Sequence, residues 1–255
     1  PIFVVLDADL SRSTMTRLFA TELRDRFFDC GIAEQNMMGI AAGLAASGKT
    51  VFASTFAVFA SGRCLDQVRM SIAQPHLNVK IVATHGGVTV GEDGFSHHSI
   101  EDIALMCSLP GFTVIAPADA SETAQAVRAA AKNYGPFYIR LSRPKSPLIY
   151  GDGYRFEIRK PQRIRTPRDI TIIATGIILS TALEAARRLE EEGIDCRVLS
   201  MPTIKPIDED AIIKAAKETG AIVTCEEHLE HGGLGSVVAR VVAKHYPVPM
   251  SILTL

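Results

Sequence analysis

Short, continuous apolar runs rich in β-branched residues alternate along this chain with longer stretches of helical period, and that alternation constrains the fold more than any other feature. In the first half the runs are "IFVVLDA" (2–8), "FFDCG" (27–31), "TVFASTF" (50–56), "VKIVATH" (79–85), "TVIAPA" (113–118) and "FYIRLSR" (137–143). A run that is apolar at nearly every position, rather than at every second one, suits a parallel strand covered on both faces. Helices are expected between them at 34–47, 59–73, 99–107 and 121–134. The first aligns Met37, Ile40, Ala41, Leu44 and Ala45 on one stripe and stops near Gly48. The last opens at "DASET", where Asp119 or Ser121 can cap the free amides.

Over residues 144–168 the pattern breaks. Prolines stand at 144, 147, 161 and 167, with six basic residues from Arg155 to Arg168. The basic residues alternate with apolar ones and lack interleaved aromatics, which favours a solvated connection over a nucleic-acid arm. The alternation then restarts, with strands expected at 169–175, 195–202, 221–227 and 249–255 and helices at 179–192, 208–219 and 234–245. The predicted fold class is α/β in two domains, each a mostly parallel sheet flanked by helices. Residues 1–148 form the first, 149–168 a linker and 169–255 the second.

Composition narrows the function. With 255 residues, 47% apolar and 22% charged, the chain can bury a substantial core. A net charge of −1 without a dense basic stripe disfavours nucleic acid and anionic membrane as partners. No apolar run approaches the roughly 18–20 residues of a membrane span, and no signal peptide precedes the first strand. Cys30, Cys64, Cys107, Cys196 and Cys225 are odd in number and form no CxxC pair, the pattern of free thiols in a reducing, cytoplasmic setting. The chain opens inside an apolar run without an initiator Met, and a leading segment is expected before it.

Open parallel sheets bind ligands outside the carboxyl ends of their strands. In the first domain those ends deliver "DADLSRSTMTR" with Arg17, "GIAEQNM" with Glu34, "TFAVFASG" with Phe56 and Phe59, the loop "THGGVTVGEDGFSHHSIED" with His85, Asp93 and His97, "PADAS", and "LSR" with Arg143. Acid, aromatics, imidazoles and guanidinium thus converge on one edge. Each has a plainer explanation too. Glu34 suits the first turn of a helix on dipole grounds alone; Phe56 and Phe59 suit a core; His85 suits a satisfied strand end. Adjacent His97 and His98 beside "GEDG" are harder to assign to packing, and their spacing with Asp93 matches no familiar zinc pattern. No metal site is predicted in this chain.

These residues also carry a resemblance. "GIAEQNMMGIAAGLAASGKTVFASTFAVFA" followed by "VATHGGVTVGEDGFSHHSIEDIALM" resembles the pyrimidine-binding domain of transketolases, and in particular the separately encoded C-terminal subunit of split transketolases. "PADASET", "YIRLSR" and "TCEEHLEHGGLGSVVA" continue the likeness over nearly the whole chain. The family implies transfer of a two-carbon ketol unit between sugar phosphates with thiamine diphosphate and a divalent metal, Mg2+. By matching motif to motif, Glu34 would engage the aminopyrimidine ring nitrogen, and burial is expected to raise its pKa against the helix dipole so that it can share a proton. Phe59 would stack on that ring and Phe56 line the same pocket. Asp93 and His97 would contact sugar hydroxyls near the reacting carbons, with His85, Arg143 and Arg17 toward the substrate phosphate.

The sequence departs from the family at His98, usually glutamine, at Phe95, usually proline, and at Ser96, usually threonine. The family's domain for the magnesium diphosphate has no counterpart here. "GDG" at 151–153 follows no buried strand, and the chain's asparagines (36, 78 and 133) all lie upstream of it, so it reads as a turn. The implied partner is an N-terminal transketolase subunit that holds the Mg2+, in an α2β2 assembly with paired copies of this chain. Competing readings are half of another thiamine diphosphate enzyme, resembling 1-deoxyxylulose 5-phosphate synthase or the β subunit of a 2-oxo acid dehydrogenase, and a noncatalytic scaffold of the same fold. In the second domain, His228 and His231 beside a glycine-rich helix start suit either an anion site or, preferably, a structural or dimer-stabilising role.

Overall fold

Every apolar run of the first half becomes a strand in the protein's structure, a computed structural model that describes residues 2–165 and 169–255. The strands are β1 (Phe3–Asp7), β2 (Phe27–Asp29), β3 (Thr50–Phe56), β4 (Val79–Thr84), β5 (Thr113–Ile115) and β6 (Phe137–Arg140). Between them lie α1 (Arg17–Glu22), α2 (Glu34–Ala46), α3 (Leu65–Gln67), α4 (Asp102–Ser108) and α5 (Ala120–Lys132). The chain divides into two compact units, the first running to Val114 and taking in Val127–Pro144, the second comprising Ile115–Ala126 and Lys145–Leu255.

In the first unit the strand order is β5-β6-β4-β3-β1-β2, and the pairs β1–β2, β1–β3, β3–β4 and β4–β6 are parallel. Both faces are covered, as the unbroken apolar runs require: Val4, Val5 and Leu6 on β1, and Val51 and Ala53 on β3, are all buried. The helix expected over 59–73 is broken up. Phe59–Arg63 and Val68–Ala73 are π-helical, with only Leu65–Gln67 of α type between them. Widened turns of this kind re-aim side chains and recur at functional sites.

The second unit continues with β7 (Gln162–Arg165), β8 (Ile170–Ala174), α6 (Ile178–Glu191), β9 (Cys196–Ser200), β10 (Thr203–Lys205), α7 (Glu209–Thr219), β11 (Ile222–Cys225), α8 (Leu234–His245) and β12 (Met250–Leu253). Its five-stranded sheet has the order β12-β11-β8-β9-β7, parallel except for β7. Neighbouring residues point to opposite faces. Ile173 and Leu199 pack with Ile212, Leu234 and Val238 of α7 and α8, whereas Ile172 and Val198 pack with Leu179, Ala182 and Ala186 of α6. Helix α7 is closed at both ends, by the Asp208 carboxylate accepting from the Ala211 amide at 3.0 Å and by Gly220 at φ 69°.

The stretch expected as a linker is only partly one. Gln162–Arg165 pairs antiparallel with β9, and its largely polar, basic sequence is what an edge strand tolerates. Residues 166–168, the end of that predicted linker, lie outside the described residues. "GDG" does form a turn, closed by the Tyr154 amide on the Gly151 carbonyl at 3.0 Å. Among the described residues no helix is long and apolar enough to cross a membrane.

Candidate active site

Glu34 comes first, because its position is set by the backbone. It is the opening residue of α2, directly after β2 and at the carboxyl edge of the sheet, and it is 3% exposed. A buried carboxylate needs a partner. Its partner is Arg63, whose Nη1 donates to Oε1 at 2.8 Å while the Arg63 side chain stays 47% exposed. The same guanidinium lies 4.3 Å above the centroid of Phe59, and Gln35 Nε2 donates to the Arg63 carbonyl at 3.1 Å. Residue pattern alone missed Arg63. Its signal is the spacing in "FASGR", where the π-helical turn Phe59–Arg63 carries ring and guanidinium together.

Phe56 ends β3. Its ring is within 18° of parallel to Phe59 at a centroid distance of 5.9 Å, and within 20° of parallel to His85 at 3.7 Å. His97 meets Phe59 edge-on at 5.4 Å and Phe56 at 6.3 Å. His85 is buried, with a backbone φ of 62° that a residue with a side chain adopts at a cost. Its Nδ1 is 2.9 Å from Thr84 Oγ1. Burial holds its pKa below the ordinary histidine value, the charges of Arg143 and His97 lower it further, and Asp93 opposes them. His85 is therefore a neutral imidazole at neutral pH.

The histidine loop is a chain of tight turns. Gly91 donates to the Val88 carbonyl, Gly94 to Gly91 and His97 to Gly94, with Gly91 and Gly94 at φ 81° and 77°. Both ends of the loop are fastened to β6. The Gly86 amide donates to Leu141, the Gly87 amide to Ser99 at 2.7 Å, and Arg140 Nη2 to the Ser99 carbonyl at 3.2 Å. Arg140 Nε also donates to the fully buried Asp102 at 3.0 Å, which accepts from Tyr138 Oη at 2.7 Å. A Cβ on Gly86 would stand 2.6 Å from Arg140 Nε, so any larger residue would displace the side chain that anchors the loop. This buried support (Asp102, Tyr138 and Arg140) was not visible in the sequence, because its members lie 36 and 38 residues apart.

Arg143 reaches the loop as well. Its Nη1 donates to the Val90 carbonyl and lies 3.7 Å from Asp93 Oδ2, with Nη2 3.6 Å from Glu92. The departures from the family pattern have local partners: Ser96 Oγ is 3.0 Å from His97 Nδ1, and His98 Nε2 is 3.3 Å from the Gly91 carbonyl. The structure thus joins Glu34, Phe56, Phe59, His85 and His97 in one contact chain, and links Asp93 to Arg143. Arg17 is not joined to them. It is exposed at the start of α1, on a loop pinned by buried Asp7, which accepts from Leu10 N, Thr14 Oγ1 and Thr16 Oγ1 at 2.6–2.8 Å. A separate apolar cavity of about 450 Å3, lined by Phe3, Val5, Phe19, Phe52 and Val82 among others, shares no residue with the cluster.

The cluster offers a buried carboxyl group and aromatic rings side by side. A carboxyl group with a replaceable side-chain partner stands beside near-parallel aromatic faces, so one ring could be stacked and hydrogen-bonded together. Among the described residues no group of three or more His, Cys, Asp and Glu side chains is placed to hold a metal ion.

The glycine-rich helix start of the second unit is filled from within. Glu226, 4% exposed, accepts from the Leu234 and Gly235 amides at 2.7 Å each. A Cβ on Gly233 would stand 2.3 Å from its Oε2. His228 is buried with Nδ1 2.7 Å from the Leu229 carbonyl, and His231 is exposed. The anion at the head of α8 is the protein's own.

Comparison with known proteins places the chain in a family. The family described as transketolase, pyrimidine binding domain, matches residues 1–147, and the transketolase C-terminal domain matches 160–255. A chain of Methanocaldococcus jannaschii, named as a transketolase C-terminal section, is 51% identical over 95% of this chain and 76% of its own. The 6-deoxy-6-sulfo-D-fructose transketolase subunit SqwH of Clostridium sp. (strain MSTE9) is 42% identical over 97% of this chain and 77% of its own. A solved structure described as a split gene transketolase, inactive beta4 tetramer, superposes with a TM-score of 0.93 at 50% identity, covering 100% of this chain and 83% of that one.

Proposed function

The chain belongs to the transketolase family, and from that premise we propose that it is the C-terminal subunit of a two-subunit transketolase that moves a two-carbon ketol unit between ketose and aldose phosphates. In this reading thiamine diphosphate lies at the interface with an N-terminal subunit, which holds the diphosphate and Mg2+. Two copies of each chain make an α2β2 assembly in the cytoplasm.

The observation that carries the proposal is the buried Glu34 carboxyl beside the paired faces of Phe56 and Phe59. When bound, the cofactor supplies a nucleophilic carbon that accepts the ketol unit. Glu34 shares a proton with a nitrogen of the aminopyrimidine ring, exchanging its Arg63 partner for that ring. Phe59 stacks on the ring, and Phe56 closes the pocket against water. His85, neutral because burial and the Arg143 charge disfavour its protonation, holds substrate by hydrogen bonding rather than by charge. Asp93 and His97 orient the sugar hydroxyls. Arg143 faces the terminal anion, where the guanidinium fork fits a phosphate, and Arg17, which stands outside the cluster, would have to reach that anion from the start of α1. Asp102 and Arg140 act only through the loop they anchor.

This chain alone should have no ketol transfer activity; the split-gene neighbour is itself described as an inactive tetramer of one chain type. The test is reconstitution with an N-terminal transketolase subunit, thiamine diphosphate, Mg2+, xylulose 5-phosphate and an aldose phosphate, with 6-deoxy-6-sulfofructose as a second donor. Turnover is expected only in the complete mixture. Turnover by this chain without a partner would refute the split site. Use of pyruvate as donor would point to the other thiamine enzymes, and full activity of Glu34→Ala would point to a scaffold.

A further inference from the structure

The second unit contains a basic cavity that shares no residue with the Glu34 cluster. It has a volume of about 340 Å3 and is lined by Lys160, Arg163, Arg197 and Lys214 together with Asp208 and the start of α7. That volume is at the lower end of small-molecule sites, about 300–1,000 Å3. The carboxylates nearby are already engaged. Asp208 caps α7, Glu157 pairs with Lys160, and Glu218 is shared by Arg197 Nη2 at 2.5 Å and Lys214 at 3.9 Å.

Arg197 is the unusual member. It projects from β9, a buried strand, and its side chain is 7% exposed, yet its Nε finds no hydrogen-bond partner among the described residues. A buried N–H of a charged group left unmatched costs stability unless something fills the role. The fork of a guanidinium is suited to a planar or tetrahedral oxyanion. Arg163, on the adjacent strand β7, is exposed at the cavity rim and adds a second guanidinium. The hydrogen bond and charge of Arg197, with smaller contributions from Lys214 and Arg163, hold the Glu218 pKa below its ordinary value.

We propose that this cavity binds a phosphate-bearing small molecule, with Arg197 as the buried anchor and Arg163 and Lys214 as the rim. The site lies wholly within the second unit and does not depend on the reading of Glu34. Such a ligand would stabilise the second unit by mass action and give this domain a sensing role.

The experiment is calorimetric titration of the full chain with inorganic phosphate and, separately, with ribose 5-phosphate at low salt. The Arg17→Ala, Arg143→Ala double variant serves as the reference chain, so that anion binding at both of the first unit's proposed phosphate arginines is removed. One equivalent is expected to bind, and Arg163→Ala and Arg197→Met are each expected to weaken it by about tenfold or more. Arg197→Lys, which keeps the charge and loses the fork, should fall between. Arg163 is exposed, so its variant guards against a folding failure at Arg197. Tighter binding of ribose 5-phosphate than of phosphate would identify a phosphomonoester as the occupant, and equal binding a free phosphate. No saturable binding, or binding that Arg163→Ala and Arg197→Met leave unchanged, would overturn the proposal. Loss of all binding in the reference chain relative to the parent chain would overturn it too, while leaving the reading of the first-unit site standing.

Discussion

Glu34 and Glu226 invite comparison, one from each unit. Both are buried carboxylates beside the first turn of a helix, and both stand near glycines in the sequence, "CGIAEQ" and "CEEHLEHGGLG". Glu226 is clamped by two backbone amides of α8, partners that cannot leave without unwinding the helix. The partner of Glu34 is the half-exposed side chain of Arg63 rather than the backbone of a helix. Burial and a helix N-terminus are therefore not enough to mark a reactive acid. What separates chemistry from architecture is whether the counter-charge can be exchanged for a ligand.

That contrast can be broken in several ways. The largest effect should come from Glu34→Ala in the reconstituted complex, where loss of an acid-base partner lowers turnover by about a hundredfold or more. Steady-state kinetics measure it, and turnover within a few-fold of the parent would make Glu34 another structural acid. Glu226→Gln should act oppositely. Replacing a charged acceptor of two helix amides by an amide costs about 2–3 kcal/mol of stability by chemical denaturation. A loss too small to resolve would mean that Glu226 does not hold α8.

A third buried acid, Glu122, lies between the two. It accepts from the Ala118 amide at 2.7 Å and from the Tyr154 hydroxyl, and burial raises its pKa to about 7 despite those hydrogen bonds. The ordinary value is 4.5, so the neutral form is favoured on folding. Its stabilisation is complete below about pH 4.5 and is lost as pH rises through about 7, a swing of about 3 kcal/mol. Glu122→Gln should flatten the stability-pH curve between these limits, and an unchanged curve would place the titration elsewhere. The smallest effect belongs to Arg63→Ala. Since the guanidinium is half-exposed, its removal should let water reach the Glu34 carboxylate in its place, and stability should change by less than about 1 kcal/mol. A loss of more than about 2 kcal/mol would make Arg63 as structural as the amides that hold Glu226.

The strands were legible because parallel sheets buried on both faces demand unbroken apolar runs, and β1, β3, β4, β8 and β11 have them. Strand β7 was hidden because an edge strand is free to carry Arg163 and Arg165 between prolines, which reads as a linker. Glu34, Phe56, Phe59 and His85 were legible as the residues that follow strands in chain order. Arg63 was not, since a π-helical turn breaks the spacing by which a helix face is recognised. Nor were Asp102, Tyr138 and Arg140, whose contacts span dozens of residues and leave no local pattern. Glu226 as the occupant of the α8 start was concealed for a related reason. Gly233 and Gly235 advertise a close approach without saying what approaches.

The most direct measurement is hydrogen–deuterium exchange at the cofactor's thiazolium C2 position, followed by quenched-flow NMR in the complex with the N-terminal subunit. Glu34 as the proton-sharing acid predicts fast exchange in the parent complex and, in Glu34→Gln with the cofactor still bound, a rate close to that of free thiamine diphosphate. Equal exchange rates in the two complexes would contradict it.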